Sequence, residues 1–109
     1  MPKNSGSVGP AVDITVLQEA HTIINGDRLD AYGDPTRSLE SIAEFWSTYI
    51  LHRFKIPIII NSMDVCQMMS LLKMSRELTG SSKRDNLVDQ IGYLGLIGKI
   101  KYEKGEYHD

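Results

Sequence analysis

The chain is short of cysteine, of paired histidines, of long apolar runs and of any large excess of one charge, and each shortage closes a class of function. A single cysteine, Cys66, rules out an intramolecular disulfide framework and fits a reducing compartment. With one Cys and three separated His, a Cys/His zinc site is excluded by count. A net charge of −2 supplies no strong electrostatic footprint for a nucleic acid polymer. No apolar run reaches membrane-spanning length, and the opening MPKNSGSVGP has no signal-peptide core. The expected compartment is therefore the cytoplasm, without membrane or polymer partners. Neither a P-loop, nor a GxGxxG turn, nor a Ser/His/Asp arrangement is legible.

What remains is an ordinary globular composition, 41% hydrophobic and 24% charged over 109 residues, enough for one domain. Residues 1–12 read as a flexible tail and 13–109 as a single helical domain. Asp13 can cap a first helix in which Ile14, Leu17, Ala20, His21 and Ile24 keep helical spacing until Asn25-Gly26. Asp34-Pro35 is a strong start signal for a second, whose apolar face is Leu39, Ile42, Ala43, Trp46, Tyr49 and Ile50. The positive charges of His52-Arg53-Phe54-Lys55 suit its C-terminus. IPIII at 56–60 reads as a buried connector, because Pro57 disfavours a central strand.

Asn61 with Asp64 forms a capping pair for a third helix running to Thr79-Gly80 and carrying Val65, Met68, Met69, Leu72 and Leu78. This helix is apolar nearly all round and should be central. Ser82 with Asp85 opens a fourth, bearing Leu87, Val88, Ile91, Leu94, Ile97 and Ile100, and the closing KYEKGEYHD should fray. The expected fold is all-α, a four-helix bundle-like domain. Gly92, Gly95 and Gly98 each cost roughly 1 kcal/mol inside that last helix, so close approach of another helix should offset them. The glycine-lined fourth helix and the apolar third lead to the expectation of a homo-oligomer.

Charged residues supply the functional candidates. GDRLDAYGDP, residues 26–35, gathers three aspartates, an arginine and a tyrosine around two glycines, though a loop wants Gly and Asp for backbone reasons alone. The aspartates lack the alternate-residue spacing of a calcium loop. Arg28 can grip phosphate bidentately and Tyr32 can stack on a base. Lys73 and Arg76 share a face, as do Asp85 and Asp89, while Asn86 and Asp89 sit one turn apart. Carboxylates so spaced repel unless a hard cation lies between them, or unless Asp85 caps its helix and Asp89 pairs with Lys73 or Arg76 across the bundle.

AYGDPTRSLESIAEFW (31–46), DVCQMMSLLKMSRE (64–77) and KRDNLVDQIGY (83–93) resemble a small helical phage and prophage family, a domain of unknown function. More distantly the chain is similar to the all-α nucleoside triphosphate pyrophosphohydrolases of the MazG-like group. That likeness implies Mg²⁺ or Mn²⁺ held by acidic residues of two helices and hydrolysis between the α- and β-phosphates. Asn86-Leu87-Val88-Asp89 stands where that group's second acidic pair would fall, with Asn in place of Glu. On this reading Asp89 and Asp85 are catalytic, and Asp89, Asn86 and Asp85 hold metal. Arg28, Lys73, Arg76 and Arg84 neutralise phosphate, and Tyr32 or Trp46 contacts the base. Two rival readings are a non-catalytic binder that sequesters a nucleotide or cyclic nucleotide signal in phage counter-defence, and a structural assembly module.

Overall fold

The computed structural model describes residues 14–25, 34–80 and 82–106. They form four helices: α1 (Ile14–Asn25), α2 (Pro35–Phe54), α3 (Ser62–Thr79) and α4 (Arg84–Glu103). The domain is all-α, and the expected tail over residues 1–12 and the Asp13 cap lie outside the described residues. Among the helices described, none is long and apolar enough to cross a membrane.

The helix starts follow local chemistry. Asp34, in extended conformation, accepts from the backbone N–H of Thr36 at 2.9 Å, and Pro35 occupies the first helical position, where its missing N–H costs nothing. At α3 the expected capping box forms in full: Asn61 Oδ1 accepts from Asp64 N–H at 2.9 Å and Asp64 Oδ2 from Asn61 N–H at 3.0 Å.

Two ends depart from expectation. Ser82 does not cap α4; Lys83 stands at that position without a side-chain bond, because the Ser82 hydroxyl donates instead to Glu77 Oε1 at 2.6 Å. Nor does the last helix fray from Lys101. Glu106 N–H reaches the Lys101 carbonyl at 2.9 Å and Gly105 N–H that of Tyr102 at 3.1 Å, a Schellman closure that needs the positive φ of Gly105. At the end of α2, Lys55 adopts the left-handed conformation and its ammonium donates to the His52 carbonyl at 3.0 Å. The cationic end therefore meets the orphan carbonyls directly.

Packing runs in the order α2, α3, α4, α1, with α3 and α4 as the central pair. One cluster joins Leu39 and Ala43 of α2, Val65 and Cys66 of α3, and Ile100 of α4. A second joins Val16 and Ala20 of α1 to Val88 near the start of α4. Cys66 is fully buried, and desolvation pushes its thiol up to about 11, which keeps it neutral and unreactive.

Two expectations about burial are corrected. The connector 56–60 is not buried: Ile56, Ile58 and Ile59 are exposed, and only Ile60 packs on the core. Its anchor is Ser47, whose hydroxyl accepts from Ile60 N–H and donates to the Ala43 carbonyl, both at 2.8 Å. On α3, Met68, Leu72 and Leu78 face outward, although Val65 and Met69 pack inward as expected.

The glycine stripe divides. A Cβ on Gly95 would lie 2.7 Å from Ile24 Cδ1 of α1, so close packing explains that glycine, whereas a Cβ on Gly92 would meet nothing within 4 Å.

Candidate functional site

The open space beside Gly92 belongs to a cavity of about 430 Å³ where the C-terminal half of α1, the first turns of α2, and the facing sides of α3 and α4 meet. Ile23, Ile24, Leu39, Ile42, Val88 and Leu96 supply apolar wall, and Ser38, Lys73, Asp89 and Tyr93 supply the polar groups. The size lies within the range of small-molecule sites.

Helix geometry explains which polar residues arrive there. Lys73 and Glu77 lie one turn apart on α3, and Asn86 and Asp89 one turn apart on the antiparallel α4, so two polar rungs form between the helices. In the first, Lys73 Nζ lies 2.9 Å from Asp89 Oδ2, with the two side chains 15% and 32% exposed. In the second, the amide of buried Asn86 donates to Glu77 Oε2 at 3.2 Å. The Ser82 hydroxyl, then the Asn86 amide, and more weakly the Lys83 N–H hold the Glu77 carboxyl below its usual range.

The second rung gives a pH prediction. Folded Glu77 binds a proton less readily than it does in the unfolded chain, so its stabilising effect is present in full above its ordinary value near 4.5. That effect is lost as the pH falls through the lower folded value. Urea melts of wild type and Glu77→Gln between pH 3 and 7 should converge at the acid end and separate above it. Parallel curves across the range would refute the assignment.

The remaining candidates are distributed as follows. Arg84 pairs with Glu19 of α1 and bonds Thr15 Oγ1 at 3.1 Å, tying α4 to α1. Arg76 and Asp85 are exposed, and neither lines the cavity. Trp46 packs against the Leu39/Val65 core cluster rather than the cavity. Arg28 and Tyr32 lie outside the described residues. Of the expected site residues that are described, the structure brings together Lys73 and Asp89. Sequence reasoning missed Tyr93 as a wall residue, although its place at the end of KRDNLVDQIGY, beside Gly92, was a usable signal.

The donors fit Mg²⁺ or Mn²⁺ poorly. Among the described residues no three His, Cys, Asp or Glu side chains come together. Asp89 is already neutralised by Lys73, Asn86 is spent on Glu77, and Asp85 is exposed. Octahedral Mg²⁺ wants carboxylate oxygens free to face it.

An ion pair in the wall of a mixed polar and apolar cavity between packed helices defines this as a small all-α domain with a candidate ligand cavity. The chain belongs to the family described as Domain of unknown function (DUF6378), whose model matches residues 15–101. It is 34% identical over 93 residues to the Gene 55 protein of Mycobacterium phage L5, covering 85% of this chain and 56% of that protein. To the Gene 55 protein of Mycobacterium phage D29 it is 32% identical over 92 residues, covering 84% of this chain and 57% of the relative. The chain thus spans little more than half the length of these curated relatives. No solved structure matches it at a significant level.

Proposed function

We propose that the cavity binds a nucleotide, including cyclic forms, without a metal ion, and that this domain of a phage-associated family acts by sequestering it. The observation that carries the reading is the Lys73–Asp89 pair standing in the wall of an open cavity instead of being sealed in the core. An ammonium has three donors, so Lys73 can keep Asp89 and still donate to a phosphate oxygen. The free oxygen of Asp89 accepts from a base amine or a sugar hydroxyl. The aliphatic walls and the Tyr93 ring suit the flat, weakly polar body of a nucleobase. A ligand so held needs an anionic part, a donor and an apolar ring in one small molecule.

Calorimetry with a panel of linear and cyclic nucleotides in EDTA tests this. Binding is expected without metal, and Gly92→Leu should abolish it with unchanged helical circular dichroism, since the added side chain grows into open cavity rather than into a neighbour. No heat from any nucleotide, or binding indifferent to Gly92→Leu, would reject the reading. Pyrophosphate release by the same panel with Mg²⁺ or Mn²⁺ would replace sequestration with pyrophosphohydrolysis.

A further inference from the structure

The outward side of α3 is apolar and unused by the bundle. Val65, Cys66 and Met69 turn inward, while on the opposite side Leu71 is 60% and Leu78 77% exposed, with Met68, Leu72 and Met74 between 42% and 47%. Ser75, the small residue among them, leaves a dip in the middle of the stripe. Five Leu and Met side chains at these exposures present on the order of 500 Å² of apolar surface, the scale at which an exposed patch marks an interaction site. A standard interface takes roughly 800 Å² from each partner, so this stripe supplies more than half of one.

We propose that the α3 face pairs with the same face of a second copy, helix against helix and antiparallel, about a two-fold axis midway between Leu71 and Ser75. Self-complementarity carries the choice of partner. With the axis there, Met68 comes level with Leu78 of the second copy, Leu72 with its Met74, and Leu71 fills the dip over its Ser75. An isologous contact of this kind closes after two copies.

Charge carries the choice of direction. Antiparallel pairing brings Asp64, exposed at the start of α3, toward the second copy's α3–α4 turn, where Lys83 is exposed. A parallel arrangement would set Asp64 on Asp64 and Arg76 on Arg76. The dipoles of antiparallel helices also oppose favourably. Lys73 lies on the inner side of α3, so the pairing leaves the cavity accessible and stands independently of what the cavity binds.

Size-exclusion chromatography with light scattering on the full chain tests the proposal. The expected molar mass is twice 12.2 kDa at micromolar concentration. Leu71→Asp and Leu78→Asp should each raise the dimer dissociation constant about 30-fold or more, as loss of a central apolar anchor does. Both side chains are largely exposed in the protomer, so helical circular dichroism should not change. Phe45→Asp, on the exposed side of α2, should leave the dimer intact. A wild type at 12.2 kDa, a dimer that survives both leucine substitutions, or one that Phe45→Asp dissolves would overturn the assignment.

Discussion

Replacing Asp89 by alanine is expected to destabilise the domain by about 2 kcal/mol, between the near-zero value of a surface ion pair and the 3–5 kcal/mol of a buried one. The intermediate figure follows from exposure: Lys73 keeps only 15% of its side chain in contact with solvent and Asp89 32%. Removing the carboxylate leaves a mostly buried ammonium in the cavity wall without its counter-charge. The double variant Lys73→Met/Asp89→Leu should recover most of the loss, because apolar side chains of similar volume suit those walls. It should not recover the nucleotide binding proposed for the cavity. Urea unfolding of the four proteins in the cycle gives the coupling energy directly. If Asp89→Ala melts with the wild type, the pair is solvated and the cavity lacks the electrostatic character assigned to it.

Ile100→Ala should cost more, about 3 kcal/mol, as the truncation of a large aliphatic side chain in a close-packed core does. Ile100 is 1% exposed and is the α4 residue of the cluster that gathers Leu39, Ala43, Val65 and Cys66. No other buried side chain in that cluster comes from α4, so the cavity left behind loosens α4 from α2 and α3 together. Leu94→Ala on the same helix is the contrast: at 50% exposure it should change stability by no more than about 0.5 kcal/mol. Equal losses for the two variants in denaturant melts would mean that the core is not where the packing places it.

These two results separate the part of the fold written in local chemistry from the part that is not. Asp34-Pro35 and the Asn61/Asp64 pair act within four residues of themselves, which is why both helix starts stand where their signals lie. Ser82 carried the same kind of signal and failed as a cap because Glu77, five residues earlier and across the turn, offered its hydroxyl a better acceptor. The IPIII connector looked like core because isoleucine is usually buried. Once Ser47 had pinned Ile60, the chain before it had no second layer to lie under.

The candidate site divides in the same manner. Lys73, Arg76, Arg84, Asp85 and Asp89 could be named as a charged group, and the Lys73–Asp89 pairing was among the arrangements their spacing allowed. Which of them meet depends on the register of α4 against α3, and that register is set by the packing of the two helices and by the Glu77–Asn86 rung. One turn of slip would exchange the partners. Arg84 was drawn to Glu19, a residue 65 positions earlier that no short-range pattern connects to it.

By itself the amino-acid order determined that this protein is all-α and where two of its helices start. Those properties depend on capping bonds, 3.6-residue periodicity and the cost of wetting a hydrocarbon surface, all of which act locally or on average. Only the tertiary structure decided that Gly92 opens on a cavity while Gly95 receives Ile24, and that one ammonium and one carboxylate reach its wall. Such outcomes turn on shifts of a few ångströms between helices distant in the chain, which no local preference encodes.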